Sequence, residues 1–141
     1  MKIHVLTFGS PTNMGPATQG DNALLEQAAK KLGHEIEFIY EKDCQLGFNG
    51  RPHVLVKSKI PTDIKILLVR ANFLGNFMEY RSGVIKQFEL AGIKTVNSHL
   101  PVLRAKNKLR TLQILNKHRL PIPKTYLLRS QHYIDDVIKE V

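Results

Sequence analysis

The segment 81-RSGVIKQFELAGIKTVNSHLPVLRAKNKLRTLQILNKHRLPIPKTYLL-128 decides how this chain is read. Val84, Ile85, Phe88 and Ala91 recur at helical spacing and Gly92 follows them, which predicts a helix over 79–91 ended by that glycine. Residues 94–96 then read as a short strand. Ser98 is placed to cap a turn, and Pro101 suits a helix's first turn. A long helix is expected from there to about residue 118, with Val102, Ala105, Leu109 and Leu112 on one face. Leu120-Pro-Ile-Pro123 is a sharp exit, 125–128 reads as a strand, and Ser130 caps a last amphipathic helix containing Tyr133, Ile134, Val137 and Ile138.

The same segment is charged in one sense. Residues 90–134 contain no Asp or Glu but carry Lys94, Arg104, Lys106, Lys108, Arg110, Lys117, Arg119, Lys124 and Arg129, so they account for the whole formal charge of +9. Such a field favours a polyanion or an acidic peptide as partner. A nucleic-acid face is the weaker form of this expectation, because no aromatics are interleaved and no recognised nucleic-acid motif surrounds the helix. The plainer alternative is a solvated face with incidental charge.

Working back toward the N-terminus, residues 64–69 (IKILLV) form a continuous apolar run suited to a buried strand. Arg70 follows, at the end where open α/β sheets place their ligands. Residues 2–8 read as another buried strand and 9–20 (GSPTNMGPATQG) as a loop. Asp21 or Asn22 is expected to cap a helix carrying Leu25, Ala28, Ala29 and Leu32, stopped by Gly33. Residues 35–40 alternate as a strand, with Ile36, Phe38 and Tyr40 on one side. Strand, helix and strand with short connections make a βαβ unit and a parallel sheet. Residues 43–51 look irregular and 53–56 look like a minor strand, which brings the count to four or five strands by Asn97. The fold class is α/β, with a Rossmann-like parallel sheet over 1–97 and a tail over 98–141 too short to close its own core.

Size and composition set outer limits. With 141 residues, 43% apolar and 23% charged, the chain fits about one soluble globular domain. One cysteine, Cys44, rules out an internal disulfide framework and a multi-cysteine zinc site, and fits a reducing compartment. The N-terminus lacks a cleavage site of signal-peptide type, and no apolar run is long enough for a membrane span. A cytoplasmic protein is expected.

Motifs that would carry chemistry by themselves are few. Gly9, Gly15 and Gly20 do not have GxGxxG spacing and no Gly-Lys-Ser/Thr follows them, so an ordinary loop outweighs a phosphate cradle there. The six histidines show no close pair at i, i+3 or i+4, which gives no metal-site spacing. Cys44 reads as a structural thiol, and no serine sits in a GxSxG elbow.

Several pieces of the chain, in order, resemble the RimK-type ATP-grasp ligases, which are similar in fold and chemistry to D-alanine ligases and glutathione synthetases. Arg70 closes a strand as the family's Pro-Arg does, with Val69 in place of the proline. Gln87-Phe88-Glu89 and Gly92 match the helix written RQFExxG. Asn97-Ser98 matches Asn-Glu-Ser without its middle residue, and Lys106-Asn107-Lys108 stands where the family has Arg-Asp-Lys. Leu109, Leu112, Leu115 and the Leu120-Pro-x-Pro exit follow, and Cys44 matches a cysteine after the second strand. The likeness is good from residue 64 to 141 and weak before it; the loop over 9–20 departs from the family.

The resemblance implies a fold and an activity. Residues 1–97 would be a pre-ATP-grasp domain and residues 98–141 the incomplete beginning of an ATP-grasp domain. The family uses ATP and Mg2+ to phosphorylate a carboxylate, which an amine such as glutamate then attacks; for its founding member the carboxylate is the acidic C-terminal end of a ribosomal protein. By this carry-over Lys108 approaches the ATP phosphates, while Arg70, Asn97 and Ser98 contact an acidic peptide or glutamate-type carboxylate. A structural ion pair is the other reading of Arg70, and a solvated helix lysine that of Lys108. The complete enzyme would be a homo-oligomer. The family's second nucleotide lysine, its glycine-rich phosphate loop and its magnesium ligands fall after the position of Val141, and Thr18-Gln19-Gly20 lies too early to replace that loop. This chain alone is therefore not expected to catalyse ligation, and holds no catalytic or metal-binding residue of its own. A free-standing, non-catalytic α/β module that binds a nucleotide or acidic peptide is the rival reading.

Overall fold

The computed structural model describes residues 1–8, 16–72 and 77–140, with backbone alone at 16–19. Two compact units divide it, Met1–Leu103 and Arg104–Val141.

The first unit is built on a four-stranded parallel sheet in the order β2-β1-β5-β6, comprising β1 (Lys2–Thr7), β2 (Glu35–Tyr40), β5 (Ile66–Arg70) and β6 (Lys94–Val96). Helix α1 (Pro16–Lys31) links β1 to β2, and α2 (Met78–Leu90) links β5 to β6. The two crossovers run outward in opposite directions from the β1–β5 pair, so right-handed connections put the helices on opposite faces. That pair is the topological switch point. A separate antiparallel hairpin, β3 (Cys44–Gly47) with β4 (His53–Val56), packs against α2.

The core shows why these segments fold together. Leu6, Leu67, Val84, Ile85 and Phe88 are fully buried, with Phe8, Ile39, Val54, Ile93 and Val102 around them. Burying a side chain such as Phe88 contributes roughly 1.5–3 kcal/mol. Within this core Gln87 is also buried. Its Nε2 donates to the carbonyls of Gly47 (2.8 Å) and His53 (3.3 Å), two residues paired across the hairpin. The buried amide thus satisfies hairpin carbonyls while fastening the hairpin to α2. Arg81 adds a second tie, its Nε donating to both carboxylate oxygens of Glu41 just after β2.

Several expectations are corrected. Helix α1 begins at Pro16, not at Asp21 or Asn22; proline's fixed φ and missing donor suit a helix start, so 16–20 are helical and only 9–15 of the expected loop lie outside the described residues. Residues 43–51, expected to be irregular, contain β3, because a strand paired only with β4 needs no long apolar run. The buried residue of β2 is Ile39, outside the alternating Ile36, Phe38 and Tyr40 set, and Ala91 is exposed. Gly33 and Gly92 do end their helices, with φ of +72° and +88°, a backbone region that favours glycine.

In the second unit the single long helix is two. Helix α3 (His99–Lys106), which begins in the first unit, stops before Asn107, and α4 (Lys108–Lys117) starts after it. Asn107 has extended backbone and its Oδ1 accepts from the Arg110 amide at 3.0 Å, an N-cap in the middle of a continuous amphipathic pattern. Thr111 Oγ1 reaches the carbonyls of Arg104 and Asn107 across the break. Residues 125–128 form no strand, since none of the described residues supplies a ladder for them. Ser130 caps a 3-10 turn (Gln131–Tyr133) that leads into α5 (Ile134–Ile138), its Oγ accepting from the His132 amide.

Candidate functional site

Arg70 is the last residue of β5, and Asn97 follows the last residue of β6. Leu68 pairs with Val96 in a parallel register, so Arg70 and the Asn97-Ser98 turn leave neighbouring strands at the same end of the sheet. Three of the residues singled out in the sequence are therefore collected at the C-terminal edge where such sheets bind ligands. Lys108 belongs to the other compact unit, where it is the exposed first residue of α4.

Arg70 already has a partner. Its Nη2 donates to Asp21 Oδ2 of α1, and both side chains are nearly half exposed, at 43% and 45%. An ion pair so open to water is worth about 0–1 kcal/mol, so an incoming carboxylate can compete for the guanidinium. The pair borders a cavity of about 460 Å³ whose other walls are Leu24, Leu25, Ala28, Leu68 and Val69. Asp21, expected as a cap, is thus a partner of Arg70 from inside the helix.

Beside Arg70 the switch point is locked by Asn72. Its Oδ1 accepts from the Phe8 amide (2.9 Å) and the Thr7 hydroxyl (3.2 Å), and its Nδ2 donates to the Phe8 carbonyl (2.9 Å). The side chain supplies one more rung between β1 and β5 after the backbone ladder ends. Only long-range pairing reveals it, and nothing in the local sequence signals that role.

The Asn97-Ser98 turn is also held from outside. Glu89 Oε1 accepts from the Thr95 hydroxyl and the His99 amide, each at 2.8 Å, and Oε2 accepts from His99 Nδ1 at 2.7 Å. Because a carboxylate only accepts, Nδ1 carries the imidazole proton. Burial alone would push the Glu89 carboxyl up, but the His99 amide, the Thr95 hydroxyl and the His99 ring outweigh it and hold the group below the ordinary glutamate value. Glu89 entered the sequence reading only as a motif letter; its spacing to His99 gives no local capping signal.

Cys44 is poorly placed to react. Burial and the nearby Asp43 and Glu41 push its thiol up to about 12, and its Sγ lies 3.5 Å from the Tyr40 carbonyl. Among the described residues no group of three or more His, Cys, Asp and Glu side chains is arranged to hold a metal ion, and no helix is long and apolar enough to cross a membrane.

An open parallel sheet in the order β2-β1-β5-β6, with its switch point between β1 and β5, makes the first unit an α/β domain with a Rossmann-like sheet. Residues 1–101 match the RimK PreATP-grasp domain, and the chain belongs to that family. It is 30% identical over 118 residues to a probable alpha-L-glutamate ligase 2 of Pseudoalteromonas atlantica, covering 83% of this chain and 38% of that protein. It is 28% identical over 142 residues to a probable alpha-L-glutamate ligase 1 of Shewanella denitrificans, covering all of this chain and 45% of the relative. The chain thus spans less than half the length of these curated relatives. In fold it is similar to a RimK domain ATP-grasp protein of Sphaerobacter thermophilus, with a TM-score of 0.62 at 18% identity, over 100% of this chain and 47% of that one.

Proposed function

We propose that this chain is the N-terminal portion of an ATP-dependent carboxylate–amine ligase of the RimK type, with residues 1–97 as the pre-ATP-grasp domain and 98–141 as the beginning of the ATP-grasp domain. The observation that carries the proposal is the family match across 1–101, supported by relatives named as alpha-L-glutamate ligases. The complete enzyme joins glutamate or another amino acid to a carboxylate, the C-terminus of a ribosomal protein being the candidate acceptor. It acts in the cytoplasm as a homo-oligomer.

In this reading the chain's own residues bind and orient. Arg70 exchanges Asp21 for the carboxylate of an acidic peptide or glutamate, and Asn97 and Ser98 offer hydrogen bonds beside it. Lys108 fits a nucleotide phosphate: its ammonium is exposed at the start of α4, and that helix's first turn contains no acid. When bound, ATP supplies the phosphoryl group that activates the carboxylate. The described residues do not fit Mg2+, since they contain no suitable cluster of ligands, and no metal-assisted step is assigned to this chain.

Two substitutions test the assignment by calorimetry. Lys108→Ala should weaken ATP binding about tenfold, and Arg70→Ala should weaken L-glutamate binding by a similar factor, equivalent to about 1.4 kcal/mol. Affinities unchanged by either substitution would remove the roles given to those residues.

A further inference from the structure

Glu89 joins three elements around β6. The residue sits in the last turn of α2, Thr95 lies within β6, and His99 is the first residue of α3. One oxygen, Oε1, accepts from Thr95 on one side of the Asn97-Ser98 turn and from the His99 amide on the other, both at 2.8 Å. The second oxygen holds the His99 ring at 2.7 Å, and Lys86 lies 3.6 Å away from it. Thr95 is buried and the Glu89 side chain is only 17% exposed, so water competes weakly for these bonds. The His99 amide is one of the donors that a helix start leaves unpaired, and a carboxylate ten residues back in the chain satisfies it. Residues 96–98 are thereby suspended between two points fixed to a single carboxylate. Asn97 itself is exposed and Ser98 lines a cavity of about 350 Å³ beside Glu89.

We infer that Glu89 is the positioning residue for the substrate edge. It holds the Asn97-Ser98 turn in the conformation that meets a carboxylate ligand and touches no ligand itself. The inference rests on the proposed function for its ligand, and on geometry alone for the turn. The carboxylate does two tasks: one oxygen accepts from the two donors that flank the turn while the other accepts from the ring, and glutamine keeps the first task, the one that holds the turn.

The test combines amide exchange with ligand titration on the full chain, using Glu89→Gln, Glu89→Ala, Asn97→Ala and the Glu89→Ala/Asn97→Ala pair. In Glu89→Ala the His99 amide should exchange about 100-fold faster while amides of β1 and β5 keep their protection. L-glutamate affinity should fall about tenfold in Glu89→Ala and in Asn97→Ala, and no further in the pair, because Glu89 acts through the turn. Glu89→Gln should retain most of the affinity and keeps the inference testable if the alanine variant fails to fold. Unchanged exchange at His99, or losses that add in full in the pair, would overturn the inference. Should the wild-type chain bind no L-glutamate, the functional reading falls and the ligand role of Glu89 falls with it; exchange at His99 then decides separately whether Glu89 holds the turn.

Discussion

The two compact units differ in what holds them. In Met1–Leu103 a set of large apolar side chains is fully buried and polar side chains make long-range ties: Gln87 to the hairpin and Asn72 to β1. In Arg104–Val141 none of the described residues is buried, and side-chain bonds such as Asn107 with Arg110, Thr111 with Arg104 and Tyr126 with Glu140 join residues three, seven and fourteen apart. The difference teaches that the apolar stripe of a helix is not a core. Leu109, Leu112 and Leu115 recur as faithfully as Val84, Ile85 and Phe88, but the second set is fully buried in a core with Leu6 and Leu67 of the sheet and none of the first is buried. Sequence periodicity reports which face would be buried; it does not supply the partner.

Substitutions across the two units sharpen the contrast. Phe88→Ala should show the largest effect, about 3–5 kcal/mol of stability lost in urea denaturation, while Leu112→Ala in the second unit should cost under about 1 kcal/mol. Equal costs would mean the second unit has a core after all. Gln87→Leu comes next, at about 1–3 kcal/mol, because it takes the buried donor away from the half-buried Gly47 and His53 carbonyls. Asn107→Ala should cost about 1 kcal/mol of local helix stability, seen as helicity lost from α4 with the first unit's melting unchanged. A shared loss across both units would contradict the division.

Acid should separate the units as well. The folded-state value of Glu89 lies below its unfolded one, so its contribution is present in full above about pH 4.3, the ordinary glutamate range, and is lost as pH falls through the depressed value. Glu89→Gln should therefore flatten the acid limb of the first unit's stability curve, a smaller effect than the core substitutions. An acid limb identical to wild type would show that the carboxylate's bonds to Thr95 and His99 carry no net stability.

Much of the first unit was legible because its strands and helices obey local rules. The apolar run of β5, the α2 stripe and the glycines after α1 and α2 each point to one structure, and they agree. What escaped the sequence was pairing. A short hairpin strand is fixed by the strand six to twelve positions further on, and Asp21 is drawn to Arg70, 49 positions away, rather than to a helix end. The break at Asn107 was missed for the opposite reason: the apolar repeat runs through it, and one side-chain cap overrides the pattern. At the candidate site, the chain's end-of-strand residues could be named from the sequence, but Asn72 and Glu89, which fix the geometry around them, could not.

The most direct test of the proposed binding edge is amide chemical-shift mapping of the chain as L-glutamate is added. Binding at the carboxyl ends of β5 and β6 predicts the largest shifts at Arg70, Asn97 and Ser98, reduced by Arg70→Ala. Saturable shifts confined to other residues, or none at all, would contradict the assignment of this edge to a carboxylate substrate.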